Sequence, residues 1–293
     1  MSCFDGTNLS SIKKSLSKTF EISITQLNNQ INLYIYDNRF RLQSGNISLQ
    51  EFFEHCKNKK KFRQAPKPLF ERVIFFHKTS LIDNGVFLRK KGLVDLDKLL
   101  VAPSPLSMYL KTKGIEFLIE NKIPFIITNN KKQSLKDFFH GKPKLSHERI
   151  IERLTEHDAI KLEGISGFLF LNDLKSNTTY QRINNVPEFL CDLSDYISGI
   201  DNEWEKASKP VILKCEVDIG KWHPPGDHYE KSTKMKKSYE IAQEGFLYLA
   251  EKCAKDFGFN INFRSNDYFP FISHGVGIKP ARIKEFIKPL NYK

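Results

Sequence analysis

An α+β fold is the prediction of this sequence, and three observations carry it. Short continuous apolar runs such as RVIFFH (72–77) and IPFIIT (123–128) have the length and aromatic or β-branched content of strands. Apolar residues elsewhere recur at helical spacing, most clearly in KKSYEIAQEGFLYLAEKCAKDFGF (236–259). The two patterns follow one another in mixed order, without an internal repeat or a low-complexity segment, which fits neither an all-α nor a strict βαβ plan.

Along the chain, residues 1–68 read as an N-terminal accessory module. EISITQLNNQINLYIYDNRFRLQSGNISL (21–49) alternates apolar and polar residues in bursts, which predicts strands and a hairpin. LQEFFEHCKNKKKFRQ (49–64) reads as a helix with a basic tail, and the prolines of APKP (65–68) mark a linker. Residues 69–293 form the second expected domain. RVIFFH opens it as a strand apolar on both faces. SLIDNGVFLRKKGL (80–93) follows as a helix ending at Gly92. LDKLLVAP (96–103) is a further apolar burst, and PLSMYLKTKGIEFLIENK (105–122) reads as a helix weakened at Gly114. After the IPFIIT strand, NNKKQSLKDFFHGKP (129–143) is a loop into a short helix, and 146–163 is amphipathic. GISGFLFLNDL (164–174), VPEFLCDL (186–193) and PVILKCEVDIG (210–220) read as strands, and IKPARIKEFIKPLNYK (278–293) as a short helix in a C-terminal helical extension.

Composition excludes more than it selects. The 293 residues are 40% hydrophobic with 24 Phe and 10 Tyr, enough to fill a sizeable core. No run approaches the roughly 20 apolar residues of a membrane span, and MSCFDGTNLSSIKKSLSKTF lacks the basic-then-apolar order of a cleaved signal. The five cysteines have no CxxC spacing and read as reduced thiols of a cytoplasmic protein. The net charge of +12 permits a nucleic-acid partner, but the lysines are spread along the chain. Phosphate-loop, GxGxxG, HExxH and GxSxG motifs are all absent, which removes the main support for nucleotide kinases, Rossmann dehydrogenases, zincins and serine hydrolases. HGVG (274–277) reads as a turn. WHPPGDHYEK (222–231) gathers His223, Asp227, His228 and Glu230, but its prolines and glycine make it a solvated loop rather than a metal site.

HKTS (77–80) differs from these. Polar residues closing a buried strand and leading into a helix start form a natural edge for a phosphate-bearing ligand. The same residues also serve a structural reading, with Thr79 or Ser80 as an N-cap and His77 as a satisfied core histidine.

The stretch FFHKTSLIDNGVFLRKKGL (75–93) resembles the opening of ADP-ribosyltransferases, most closely the DarT-type DNA ADP-ribosyltransferases. VAPSPLSMYL (101–110), IPFIITNN (123–130) and QRINNVPEFL (181–190) are similar to later segments of that family in the same order, so the resemblance spans roughly residues 72–195. It implies a split mixed sheet with flanking helices, NAD as co-substrate, and transfer of ADP-ribose to a nucleophile. His77, Thr79 and Ser80 would then hold the ribose and carboxamide, Tyr109 would stack on the nicotinamide ring, and Asn129 would contact the cofactor. Asn129 and Asn130 equally suit a turn. Glu188 leads as the catalytic carboxylate, Asp137 follows, and Glu216 is third. The family's arginine beside its Ser-Pro segment has no counterpart in APSPLS, Lys78 follows His77 where a small or aliphatic residue is usual, and NNKKQ replaces Gly-His-Ala. These departures favour a protein side chain over DNA as acceptor. The expectation is thus a mono-ADP-ribosyltransferase, effector or toxin-like, that is cytoplasmic or delivered into a host cell. A DNA-base ADP-ribosyltransferase and a non-catalytic basic binding protein of the same fold are the alternatives.

Overall fold

The computed structural model describes residues 2–39, 47–58, 69–121, 123–141, 144–154, 163–172, 186–224, 232–259, 261, 263–264, 270–273 and 275–288. It is a mixed α and β protein. Its contacts divide it into two compact units, each built from separate stretches of chain. Unit 1 comprises 1–76, 167–177 and 216–270, and unit 2 comprises 77–166, 178–215 and 271–293.

Unit 1 begins with β1 (Cys3–Phe4), then α1 (Leu9–Thr19), α2 (Ile24–Asp37) and α3 (Leu49–Asn58). The strands and hairpin expected over 21–49 are replaced by α2. Its buried residues Leu27, Gln30, Ile31, Tyr34 and Ile35 recur at three- and four-residue intervals, the helical period. A capping box, in which Ser23 and Gln26 satisfy each other's backbone N–H groups, fixes where it starts. Residues 40–46 lie outside the described part. β2 (Arg72–Leu81) contributes Arg72–Phe76 to this unit, where β1 pairs parallel to it.

Unit 2 takes the rest of β2 and then α4 (Val86–Lys91), α5 (Leu96–Val101), α6 (Pro105–Thr112), β3 (Ile115–Glu120), β4 (Ile123–Thr128), β5 (Lys131–Ser134), α7 (Leu135–Phe139), α8 (Lys144–Leu154) and β6 (Glu163–Ser166). It resumes with α9 (Glu188–Ser194), α10 (Ile200–Ala207) and most of β7 (Lys209–Asp218). β8 (Trp222–His223) and α11 (Lys234–Asp256) return to unit 1, and β9 (Phe271–Ser273) and β10 (Ile283–Ile287) complete unit 2.

Among the described residues the largest sheet has the strand order β1–β2–β7–β10, with β10 antiparallel to β7. β3, β4 and β5 form an antiparallel meander, and β6 pairs antiparallel with β9.

Several expectations are corrected here. HKTS does not follow a strand end, because β2 runs on through Leu81 and α4 starts only at Val86. The Asp83 carboxylate accepts from the N–H groups of Gly85 and Phe87 and so sets that start. The 105–122 segment is helical only to Thr112. Gly114, at φ +70°, turns the chain into β3. LDKLLVAP is helix α5. VPEFLCDL is helix α9, entered through Pro187 and burying Phe189, Leu190 and Leu193. The expected C-terminal helix is a single turn at Pro280–Arg282 followed by strand β10. The 146–163 helix ends at Leu154, and 155–162 lie outside the described residues.

Each unit has its own core. In unit 1, α11 packs on α1, α2 and α3, with Phe52 stacked on Phe246 at 4.8 Å and Tyr34 edge-on to Phe52 at 5.7 Å. Gly245 makes room for Phe4, since a Cβ there would lie 2.8 Å from the Phe4 ring. Gln243 Oε1 accepts from Leu49 N–H, and Ser238 Oγ bonds both the N–H and the carbonyl of Phe70. In unit 2, Leu100, Tyr109, Phe117, Ile126, Phe189 and Trp204 belong to one buried cluster.

Candidate functional site

β2 holds three of the expected ligand residues. Side chains of a strand alternate between faces, so His77 and Thr79 share one face and Lys78 and Ser80 the other. His77 is half-buried, and its Nδ1 lies 2.8 Å from the carbonyl oxygen of Ser166. A carbonyl only accepts, so Nδ1 carries the proton and Nε2 of the neutral ring is left as an acceptor. Burial pushes the imidazole below its ordinary value, and the bond to Ser166 opposes that shift. The ring is therefore neutral near pH 7.

What lets Ser166 reach His77 follows from its neighbour. Phe76 and Phe168 exchange backbone hydrogen bonds of 2.9 and 2.8 Å, and Gly167 lies against β2 between them. A Cβ on Gly167 would come within 2.4 Å of both the Phe75 ring and the Phe76 carbonyl oxygen. Only glycine permits this approach. Ser166 is 89 residues from His77, and no local sequence pattern signals the pairing.

The other expected residues have structural partners. Ser80 is buried and accepts from the Trp204 indole N–H at 2.7 Å. Tyr109 lies in the core of unit 2, edge-on to Trp204 at 5.0 Å, and its hydroxyl donates to the Ile200 carbonyl at 2.6 Å. Burial raises its phenol pKa, helped by Glu203 and Asp201. Asn129 and Asn130, at φ +51° and +62°, are the two exposed residues of the β4–β5 hairpin turn, the positive-φ pair of a type I′ turn. Burial also pushes the Lys78 ammonium down to about 8.

Each of the three carboxylates has a local partner. Glu188 is the first residue of α9, about half exposed, with its Oε2 2.6 Å from Arg153 Nη2 of α8. It forms the outer rung of a ladder with Arg149–Asp192 and Ser146–Asp195. Asp137 sits in the first turn of α7 and accepts from Ser134 Oγ at 2.6 Å, while Ser134 Oγ caps the helix. Glu216 belongs to unit 1 and is bound by Arg72 Nη1 at 2.8 Å. Among the described residues no hydrogen bond or ion pair joins His77 to Glu188 or Asp137. The first five residues of QRINNVPEFL lie outside the described part.

The solvated loop expected at 222–231 is corrected in its first two residues. Trp222 and His223 form β8 and are buried. His223 Nδ1 lies 3.4 Å from Lys237 Nζ, which also donates to the Gly220 carbonyl. Burial, with Lys237 beside it, pushes His223 down to about 4, and burial pushes Lys237 down to about 8. Asp227, His228 and Glu230 lie outside the described residues, as does His274 of HGVG. Among the described residues no three His, Cys, Asp or Glu side chains could hold a metal ion together. A shallow recess of unit 2, lined by Leu100, Pro103, Met108, Lys111, Glu116 and Phe117 among others, contains none of the expected site residues.

Comparison with protein-family models, with curated proteins and with solved structures found no match to this chain.

Proposed function

We propose that the protein is an NAD-dependent mono-ADP-ribosyltransferase that modifies a protein side chain, in the manner of an effector or toxin. The observation that carries this reading is His77. It is a neutral imidazole on a sheet strand, held by a backbone carbonyl so that Nε2 can accept a hydrogen bond from a hydroxyl such as that of a ribose. Thr79 on the same face adds a second group able to donate or accept. The ordered resemblance of 75–93, 101–110, 123–130 and 181–190 to ADP-ribosyltransferases supplies the reaction.

In that reaction the bond from ribose C1′ to the nicotinamide nitrogen breaks, and nicotinamide leaves with the electron pair. The acceptor atom bonds to C1′ and gives up its proton. A carboxylate stabilises the cationic transition state and receives the proton. Glu188 suits this role, because its pair with Arg153 is exposed and so weak enough to open. Ser80 and Tyr109 support the pocket from within the core rather than by touching the substrate.

A non-catalytic NAD-binding protein of the same construction is the second reading. It is favoured by the local partners that occupy Glu188, Asp137 and Glu216. Incubation of the full chain with labelled NAD and cell lysate, followed by separate protease and nuclease digestion, tests both. Label released by protease and lost in Glu188→Gln supports transfer to protein. Label released by nuclease moves the acceptor to nucleic acid. NAD binding without label leaves the second reading, and neither binding nor label overturns both.

A further inference from the structure

We propose that unit 2 carries a face that docks on membranes with anionic headgroups. This goes beyond the transferase reading and does not depend on it. The face is formed by α4 and the segment 279–288, which are far apart in sequence. Leu93 and Ile278 exchange backbone hydrogen bonds of 2.9 and 2.6 Å, and a Cβ on Gly92 would lie 2.0 Å from the Ile278 carbonyl oxygen. The Arg89 guanidinium lies 4.7 Å over the Phe286 ring, and Gly85 leaves room for that ring. These contacts pack α4, which carries Arg89, Lys90 and Lys91, against Pro280–Arg282, in a segment whose Lys279, Lys284 and Lys288 are exposed.

Acids border these segments as well. The Asp83 carboxylate is engaged by the Gly85 and Phe87 N–H groups, and Glu285 stands opposite Lys214 in the β7–β10 register. Lysines on an edge strand such as β10 also discourage strand-to-strand aggregation. That role does not account for the triplet on α4, nor for Val86 and Val276, which are 48% and 36% exposed. Exposed apolar side chains among clustered cations are the composition of an interfacial docking face. A single-stranded nucleic acid would instead call for open aromatic rings, and neither Phe87 nor Phe286 is exposed.

The test is sedimentation of the full chain with vesicles of phosphatidylcholine, alone or with phosphatidylserine added, over a range of salt. Binding is expected only with phosphatidylserine, weakening as salt rises. The variant Lys90→Glu/Lys279→Glu/Lys288→Glu should bind at least about a hundredfold more weakly. The glutamine version of the same triple variant should lose less, and it replaces the glutamate version if that fails to fold. Val86→Asp should weaken vesicle binding but leave any oligonucleotide binding unchanged. Equal binding to neutral vesicles, no binding to anionic ones, or an unaffected triple variant overturns the proposal. So does a Val86→Asp variant that binds anionic vesicles as well as the unmodified chain, or oligonucleotide binding in the absence of vesicle binding.

Discussion

Two histidines of this protein, one in each unit, are both held below the ordinary imidazole pKa, and their neighbours differ in kind. His223 of unit 1 is 5% exposed, with a lysine ammonium against its Nδ1. His77 of unit 2 is half-buried, and a backbone carbonyl fixes its proton on Nδ1. The direction of a pKa shift is thus the same for a core histidine and for a candidate ligand-binding one. What separates them is the chemistry of the neighbour. A cation beside His223 opposes its protonation, whereas a carbonyl orients His77 and leaves its second nitrogen as an acceptor.

The largest effect that could break this contrast concerns catalysis. On the proposed transferase reading, replacing His77 with Ala should lower NAD turnover about a hundredfold or more and move the melting temperature little. His223→Ala should do the reverse. Labelled-NAD turnover and thermal melts on both variants check it, and comparable loss of turnover in both would remove the distinction.

Next comes the pH dependence of stability. With a folded value of about 4 against an ordinary 6.5, His223 binds fewer protons in the folded state than in the unfolded one across that interval. Its contribution is full above pH 6.5 and is lost as pH falls from 6.5 to 4, up to about 3 kcal/mol. Urea unfolding at a series of pH values measures this, and His223→Asn should flatten the slope. Lys237 acts in the alkaline range, so stability should rise between pH 8 and 10.5 as the unfolded chain gives up the proton that the folded lysine has already lost.

A smaller effect is expected from Gly167→Ala. Its methyl would meet the Phe76 carbonyl, which belongs to the backbone and cannot swing away, so a destabilisation of about 1–3 kcal/mol follows. Loss of the Ser166 carbonyl bond, which opposes the effect of burial, should also push the His77 imidazole further below its ordinary value, which histidine proton NMR reads directly. The smallest is Arg153→Ala. It removes a half-exposed ion pair and should change stability by less than about 1 kcal/mol in urea titrations.

The parts of the fold that could be read from sequence are those whose pattern is strong and local. IPFIIT, PVILKCEVD and the 23 residues of α11 appear as strand, strand and helix in the positions expected. The errors arise where two periods fit the same residues. In EISITQLNNQINLYIYD the apolar positions satisfy both alternation and a helical stripe, and the Ser23–Gln26 capping box decides for the helix. In VPEFLCDL a run of apolar residues after proline fits a buried strand or a short helix equally, and α9 buries it on one side only. The tail carries Ile283, Phe286 and Ile287, residue types that suit a strand, and pairs with β7 instead.

The candidate site divides in the same way. His77, Thr79 and Ser80 can be picked out because polar residues interrupt an apolar strand, and their residue types carry the argument. The roles of Ser80 and Tyr109 could not be read. They depend on Trp204 and on the Ile200 carbonyl, which lie 124 and 91 residues away in sequence. Arg153 is hidden for the same reason, since only the packing of α8 on α9 brings it to Glu188.

The dependence of α1, α2 and α3 on α11 also has a consequence in time. During synthesis the first three helices emerge early, but the residue that receives the Leu49 N–H comes 194 positions later, and Ser238 follows Phe70 by 168. At 5–20 residues per second the ribosome takes roughly ten to forty seconds to deliver that partner. For that interval Phe52 and Tyr34 have no α11 to cover them. The nascent chain therefore passes through a long window in which holdase chaperones have an aromatic surface to protect, and slow-translating codons before α11 would lengthen it.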